Sequence, residues 1–490
     1  MKSPKTRWIL GGFVFLCVLY SILLIPDSAP PVPQEEGGRP FAWNRDEYWS
    51  YLETQFKEAR SAGCSGLSAQ IGAGFSGIDS LLRVLQSDKL APDAPLFAKI
   101  EDRFFKLGIL LGVCPEKSSE YLEMFGKIRT SAKNQSGEWD MNSGPARDCL
   151  YRLLYGGRTA IEEVMLQSPK ETVPQVFLEN SEQSATPEAT ILDVGIHSGD
   201  ILVSRGGAAT SALIARGNDY PGNFSHAALV HVDEKTGAVS IIESHIEKGV
   251  AIADIDDYLK DTKLRVMVLR LRHDLPCMLA DPMLPHKAAE FALRRARTEQ
   301  IPYDFAMNPA EHSRLFCSEV VSEAYSRAGI TIWTALSHIS SPGVKLWLSA
   351  FGVKNFTTEE PSDLEYDPQL RVVAEWRDFE TLFKDRLDNA VVDIMLETAN
   401  TGNQLDYDRY LLPVARMLKA YSSIINKFGG IGPVPEGMNA TAALRNKWFT
   451  GRHQDVVKKL YGLTQQFKQS NGYSPPYWEL IKLAKQAYSL

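Results

Sequence analysis

The sequence predicts an α+β protein in which a strand-rich segment lies between two helical segments. Its 490 residues exceed what one hydrophobic core usually supports, so we expect about two or three domains. Hydrophobic residues make up 44% of the chain and charged residues 23%, as in folded globular proteins. From the change in hydrophobic period along the chain, we expect helical domains at 41–180 and 379–490 around an α+β domain at 190–378.

The first helical domain is predicted from apolar residues at helical spacing. Asn44, with Glu47 three residues later, fits a capping box at the start of an amphipathic helix. Further helical patterns cover 78–85, 100–111 and 149–165.

The central segment contains short runs rich in Val and Ile, separated by Gly and Asp, which are typical of strands. These runs are ILVSRG, HAALVHV, AVSIIESHI and LRVMVLRLR. Helical patterns follow at 286–297 and near Cys317, and the mixture predicts an α+β domain. After Trp376 the pattern is helical again, with a last helix following Pro475 and Pro476.

The amino terminus carries three basic residues followed by an uncharged, mostly apolar stretch at 8–25. This length is at the short end for a transmembrane helix and exceeds the usual core of a signal peptide. Because small-residue cleavage signals are poor, we expect residues 1–25 to be an uncleaved anchor, with a signal peptide as the alternative. The basic flank then places the bulk of the chain on the non-cytoplasmic side, periplasmic or extracellular.

Residues 26–40, rich in Pro, Gly and Glu, are predicted to be a semi-rigid linker that keeps the body of the protein near the membrane. Six cysteines occur, and Cys17 lies in the predicted anchor. The other five are an odd number, so some can pair in an oxidising compartment while one stays free, and the sequence does not give the pairing. We expect Cys317 to be the free thiol.

The net charge of -7 offers no basic surface for phosphate groups, which argues against nucleic acid as a partner. No Cys or His cluster has the spacing of a zinc motif, so the sequence indicates neither a metal nor a cofactor. Protein partners are not indicated by any motif.

Cys317 lies where an amphipathic helical pattern begins, with Val320, Val321 and Ala324 on one face. In the first turn of a helix, free backbone N–H groups and the helix dipole favour a thiolate, and the same N–H groups can hold an oxyanion. A cysteine in such a helix is more often a core residue, so this pattern alone is weak.

His226 begins the strand HAALVHV, and alternation places it on the same face as the small Ala228. Glu243 lies on the next strand and can accept the second ring N–H of His226. The alternatives are a core histidine and a solvated glutamate.

Together these residues resemble the permuted papain-like amidases, a YiiX-like branch of the NlpC superfamily, in which His precedes Cys along the chain. The resemblance covers about residues 190–378 and says nothing about the helical flanks. The matching motifs are Gly199-Asp200-Ile201-Leu202, Ser225-His226, Glu243, Tyr303-Asp304-Phe305 and Phe316-Cys317-Ser318-Glu319-Val320-Val321.

The resemblance implies a permuted papain-like fold with Cys317 as nucleophile, His226 as base and Glu243 as the residue that orients His226. It places Tyr303 near the site as an oxyanion or substrate contact, or as a packing aromatic. Phe316 stands where relatives often carry Tyr, so a polar contact from that position is lost.

The predicted activity is therefore hydrolysis of an amide, ester or thioester through a Cys317 acyl-enzyme. The membrane anchor favours a lipid-linked or acylated substrate, and the superfamily makes a cell-wall (peptidoglycan) peptide the alternative. Acyl transfer differs only in the acceptor that resolves the acyl-enzyme. A non-catalytic, membrane-tethered binding module is the alternative outside the enzymes.

Overall fold

The computed structural model describes residues 4–32, 38, 40–41, 47–179, 182–428 and 430–490, with side chains from residue 13 onward. Asn44, the predicted helix cap, lies outside the described residues. The helix expected there runs from Glu47 to Ala62.

The amino-terminal half is helical. After α1 (Pro4–Leu23), its helices are α2 (Glu47–Ala62), α3 (Ser68–Ser87), α4 (Pro95–Val113), α5 (Ser118–Gln135), α6 (Gly144–Tyr151) and α7 (Gly157–Gln167). A π-helical turn at Arg152–Gly156 joins α6 to α7. Helices α2 to α7 enclose one apolar core, in which Ile78, Ile100 and Leu154 are fully buried.

A seven-stranded antiparallel sheet occupies the middle of the chain, in the order β1-β11-β8-β4-β5-β6-β7. Its strands are β1 (Val176–Leu178), β4 (Ile201–Gly206), β5 (His226–Val232), β6 (Val239–His245), β7 (Gly249–Ala253), β8 (Lys263–Leu271) and β11 (Leu370–Trp376). The hairpin β2 (Glu188–Ile191) and β3 (Val194–His197) and the pair β9 (Ser337–His338) and β10 (Thr357–Thr358) form two small sheets.

Both faces of the large sheet are covered. Six helices follow its strands: α8 (Ala209–Arg216), α9 (Ile255–Lys260), α10 (Pro276–Ala280), α11 (Leu284–Thr298), α12 (Cys317–Arg327) and α13 (Pro342–Phe351). Helices α11 and α12 pack on one face against Ala227, Leu229 and Met267. On the other face the hairpin and α9 cover Ala228 and Val230. This side-to-side alternation along β5 is the pattern expected of a strand buried on both faces.

The carboxyl-terminal part is again helical. It consists of α14 (Phe379–Asn400), α15 (Leu412–Lys427), α16 (Ala440–Asn471) and α17 (Tyr477–Ser489). Its apolar core includes Met395, Phe449 and Leu460 and continues into α8 and α13, so these helices pack directly on the strand-containing part.

Buried ion pairs join the helical parts to the sheet. Arg129 of α5 and Arg158 of α7 bind Glu365 and Glu375, and all four side chains are almost completely buried. Desolvating these charges is costly, and removing one partner of such a pair costs about 3–5 kcal/mol. The ion pairs therefore fix the position of the amino-terminal helices on the sheet rather than simply adding stability.

The segment after α1 lies against the body of the protein. Asp27 accepts a hydrogen bond from the Thr441 hydroxyl at 3.1 Å, and the Ser349 hydroxyl donates to the Pro30 carbonyl at 2.6 Å. In the described part of the chain, no helix combines the length and the apolar character needed to cross a bilayer. The membrane anchor and the non-cytoplasmic location stay predictions.

Cys64 and Cys114 form a disulfide that links the segment after α2 to the end of α4. Cys17, Cys149, Cys277 and Cys317 are free thiols. The chain thus has the mixture of helix and sheet that the sequence predicts. The permuted papain-like fold and the domain boundaries stay predictions.

Candidate active site

The catalytic candidates lie where the start of strand β5 meets the start of helix α12. His226 is the first residue of β5 and Cys317 the first residue of α12. The Cys317 thiol lies 4.0 Å from the carbonyl oxygen of Ser225, the residue before His226, and its side chain is close enough to that of His226 to change the pKa of the imidazole. Two residues 91 positions apart, one on a strand and one on a helix, are therefore in direct contact.

Strand pairing brings Glu243 to the same place. β5 and β6 are antiparallel, with Ala228 opposite Glu243, so Glu243 lies diagonally across from His226. Its Oε2 atom is 2.7 Å from Nε2 of His226, and the carboxylate side chain is only 3% exposed. Glu243 is thus a buried acceptor for the imidazole, as the sequence predicts, and not a solvated strand residue.

These contacts define the orientation of the His226 ring. Because Nε2 is bound to Glu243, Nδ1 is the ring nitrogen that remains available to Cys317. A neutral ring that donates Nε2–H to Glu243 has a free lone pair on Nδ1, which is the form that accepts the thiol proton.

The electrostatics of the site favour charge separation between Cys317 and His226. Burial by itself lowers the pKa of His226, but its hydrogen bonds to Cys317 and Glu243 outweigh burial and raise the pKa. Burial would raise the pKa of Cys317, yet the hydrogen bond and the charge of His226, together with the Ala227 backbone N–H, hold that pKa below its usual value. The favoured state is a thiolate beside an imidazolium, which is the reactive form of a nucleophilic cysteine.

The start of α12 supplies backbone donors. The N-cap residue, Phe316, has no side-chain acceptor for the N–H groups of the first turn. Glu319 accepts the Phe316 backbone N–H at 2.8 Å, and burial raises the pKa of Glu319 to about 9, so that this carboxyl is neutral at pH 7. A neutral Glu319 does not oppose a negative charge on Cys317 or on a bound oxyanion.

Tyr303 lies close enough to Cys317 for the two groups to interact electrostatically. Burial, followed by the charge of Cys317, raises the pKa of the Tyr303 phenol, which therefore keeps its proton. Its ring packs edge-on against Phe305, with 5.0 Å between the ring centroids. The phenol is thus a protonated donor beside the nucleophile, and its role stays a prediction.

The loop that precedes Cys317 is fixed at both ends. The Ser244 hydroxyl of β6 donates to the Leu315 carbonyl at 2.7 Å. The Asp304 carboxylate accepts the backbone N–H groups of Ala306 at 2.8 Å and Asn308 at 2.6 Å. These bonds hold the backbone on the approach to the nucleophile.

His245, which the sequence motifs do not indicate as a site residue, also binds Glu243. Its Nε2 lies 3.0 Å from Oε1 of Glu243, and its ring centroid is 5.7 Å from that of His226. Glu243 and His245 are two positions apart on β6, so their side chains lie on the same face of the strand. That spacing was the available signal.

The structure also brings together three side chains that could bind a metal ion, although the sequence indicated no metal site. Within the described residues, His231, His286 and Glu290 have ligand atoms within 4.8 Å of one another. They come from β5 and α11, at the end of β5 away from His226.

Residues 195–374 match the family described as permuted papain-like amidase enzymes, YaeF/YiiX, C92 family. The solved structures include one similar chain, titled metalloprotein yiiX from Escherichia coli O157:H7. It is 22% identical and has a TM-score of 0.30, over 37% of this chain and 97% of that one. No curated protein matches the chain. The family match confirms the resemblance predicted from the motifs and indicates a cysteine-type amidase.

Proposed function

We propose, from the match of residues 195–374 to the permuted papain-like amidases, that this protein is a cysteine hydrolase acting through a Cys317 acyl-enzyme. The observation that carries the proposal is the contact of Cys317 with His226, whose other ring nitrogen is bound to Glu243. All three side chains are within the matched segment.

In the proposed reaction the Cys317 thiolate attacks the carbonyl carbon of an amide, ester or thioester. The carbonyl oxygen becomes an oxyanion, which backbone N–H groups of the first turn of α12 stabilise, with the Tyr303 phenol as a further donor. His226 gives its Nδ1 proton to the leaving group as the carbonyl re-forms, which leaves a thioester on Cys317. His226 then takes a proton from water, the hydroxide attacks the thioester, and the acid and the thiolate are released.

For the substrate, we favour a lipid-linked or acylated molecule met at a membrane surface. Helix α15 has a row of exposed apolar side chains, among them Met417 at 64%, Tyr421 at 54% and Ile424 at 58%, and the residue that follows the helix, Phe428, is 87% exposed. A helix with one exposed apolar side and one packed side is typical of proteins that lie in the interface of a bilayer.

Helix α1 adjoins this apolar surface. Arg409, just before α15, donates to the Leu24 carbonyl at 3.1 Å, and Arg416 of α15 donates to the Ile25 carbonyl at 2.5 Å, so α15 and the turn before it bind the two residues that follow α1. The exposed side chains of α1 include Phe13 at 64% and Phe15 at 66%. The two helices together support attachment of the protein to a bilayer, with or without a membrane span.

The segment after α15 packs against the loop that contains Tyr303 and thereby links the exposed apolar side of α15 to the active site. Phe305, two residues after Tyr303, packs against Val434 and Met438. A substrate held at the bilayer by α15 would therefore approach the protein on the side where the Tyr303 loop is anchored.

The disulfide between Cys64 and Cys114 supports the predicted non-cytoplasmic location, because such bonds persist mainly in oxidising compartments. In that location both membrane lipids and cell-wall peptides are available as substrates. The family match to amidases keeps a cell-wall peptide as the second candidate.

The test is incubation of purified full-length protein with membrane-lipid extracts and, separately, with peptidoglycan fragments, followed by mass spectrometry. Wild-type protein is compared with Cys317→Ala. Cysteine-dependent release of fatty acid supports the lipid substrate, and release of peptide or amino acid supports the cell-wall substrate. Appearance of an acylated acceptor in place of free acid indicates acyl transfer. No difference between the two proteins on any substrate contradicts the hydrolase and favours a binding module.

A further inference from the structure

We infer that His231, His286 and Glu290 form a zinc-binding site that braces helix α11 against strand β5. The ligand atoms of these three residues lie within 4.8 Å of one another. Two imidazoles and one carboxylate are a ligand set that Zn²⁺ accepts, with its remaining position open to water or another carboxylate.

The two ligands on α11 are placed by helical spacing. His286 and Glu290 are four residues apart, so their side chains share a face of the helix. Nε2 of His286 is 3.7 Å from Oε1 of Glu290. Ligand atoms in a tetrahedral zinc site are about 3.3 Å apart, so a small movement of the exposed Glu290 side chain closes the distance.

A neighbouring hydroxyl orients His286 toward the cluster. Nδ1 of His286 is 2.8 Å from the Ser198 hydroxyl, which also accepts the Val232 backbone N–H at 3.2 Å. With Nδ1 held in this way, Nε2 is the nitrogen directed at the carboxylates. Metal-binding histidines commonly have such a second partner, which fixes the ring.

His231 is the third ligand and has an unsatisfied ring. It is 6% exposed, and its Nδ1 is buried without a hydrogen-bond partner. Its ring stacks on that of His286, with 5.3 Å between centroids. A buried polar atom without a hydrogen-bond partner destabilises the folded protein by about 1–3 kcal/mol, so the stacked imidazoles are not explained by stability alone. A shared metal ion provides an explanation.

The surroundings allow an ion to enter. The cluster borders an open cavity of about 520 Å³, which Arg294 and Arg297 also line. Asp233 lines the same cavity, and Glu234 brings Oε1 to 3.6 Å from Nε2 of His286. Three carboxylates, those of Asp233, Glu234 and Glu290, thus outnumber the guanidinium groups of Arg294 and Arg297 around the cluster. Glu234 is close enough to His286 to become a fourth zinc ligand.

The site is separate from the active site. His231 and His226 are five residues apart on β5, which corresponds to about 17 Å along a strand, and they lie on opposite faces. A zinc ion there would hold α11 on the strand that begins with His226, so its expected effect is on stability rather than on the reaction.

The experiment is calorimetric titration of ZnCl₂ into chelator-treated full-length protein that carries Cys317→Ser. This substitution removes the thiol next to His226, which would otherwise compete for zinc. We expect one equivalent to bind and to raise the melting temperature. Glu290→Gln and His286→Gln should each weaken binding at least tenfold, whereas Glu299→Gln, which changes an exposed carboxylate directly after the same helix, should not.

Glu290 is exposed, so Glu290→Gln tests the site even if His286→Gln fails to fold. The inference is overturned if the Cys317→Ser protein binds no zinc. It is also overturned if zinc binds with equal affinity to the Glu290→Gln and Glu299→Gln variants, because the ion would then lie elsewhere.

Discussion

Nε2 of His226 lies 2.7 Å from Oε2 of Glu243, so the other ring nitrogen, Nδ1, remains available to Cys317. This contact selects the tautomer that accepts a thiol proton and stabilises the imidazolium that results. It also explains why a buried glutamate, which is otherwise costly, occurs on a central part of β6.

Replacing Glu243 with Gln should reduce kcat by about 10²–10⁴-fold, because an amide can donate to Nε2 as well as accept from it, so it no longer selects one tautomer, and it carries no charge to stabilise the imidazolium. KM should change little, since Glu243 is buried behind His226. Steady-state kinetics on an activated acyl substrate measure both constants. Glu247→Gln, which alters an exposed glutamate shortly after β6, is the control and should retain wild-type kcat.

The rate should depend on pH in a bell-shaped manner. The hydrogen bonds to Cys317 and Glu243 outweigh burial and raise the pKa of His226 to about 9. As pH rises through about 9 the imidazolium loses the proton needed by the leaving group, and as pH falls below the lowered pKa of Cys317 the thiolate is lost. The pH profile of kcat/KM should therefore decline above about pH 9. A rate that still rises at pH 10 would show that His226 is not the acid.

Removal of His245 tests whether it acts by sharing the Glu243 carboxylate. In His245→Ala, Glu243 is left with His226 as its imidazole partner, so their hydrogen bond strengthens and the pKa of His226 rises further. We expect kcat to stay within about tenfold of wild type and the alkaline limb of the profile to move to higher pH. His312→Ala, which removes an exposed histidine before Cys317, should leave the profile in place. If the alkaline limb of the pH–rate profile is the same in His245→Ala as in the wild type, His245 contributes to packing and does not influence the pKa of His226.

The disulfide should contribute to the stability of the amino-terminal helices. Cys64 and Cys114 are 50 residues apart, and closing a loop of this size typically stabilises a protein by about 2–4 kcal/mol. Cys64→Ala should lower the free energy of unfolding by that amount, as measured by urea denaturation. Cys277→Ser, which removes a free thiol, serves as the control. Equal stability of the two variants would contradict a structural role for the bond.

The strands near the site could be predicted because their apolar, Val- and Ile-rich sequences match their burial in the middle of the sheet. The runs ILVSRG and HAALVHV coincide with β4 and β5, and Cys317 begins α12 as the helical pattern indicates. The β2–β3 hairpin was missed. Its two-residue turn places Leu192 at φ 48° and Asp193 at φ 63°. Turns with positive φ at both residues usually have the sequence Asn-Gly, Asp-Gly or Gly-Gly, which is absent here.

Contacts between distant elements could not be predicted from one sequence. His231 and His286 are 55 positions apart, and only the packing of α11 on β5 brings their rings together. The partner of Cys64 was likewise open, since spacing does not determine disulfide connectivity. Within the site, the sequence indicated Cys317, His226 and Glu243, whereas His245 required the observation that one carboxylate binds two rings.

Cys317 is tested most directly as the nucleophile by intact-mass spectrometry of full-length protein mixed rapidly with an activated acyl ester, with the adduct mapped by digestion. We expect a single acyl group on Cys317, which disappears with time as product forms, and neither adduct nor turnover in Cys317→Ala. Turnover at the wild-type rate in Cys317→Ala, or a transient acyl group on another residue, would contradict this role of Cys317.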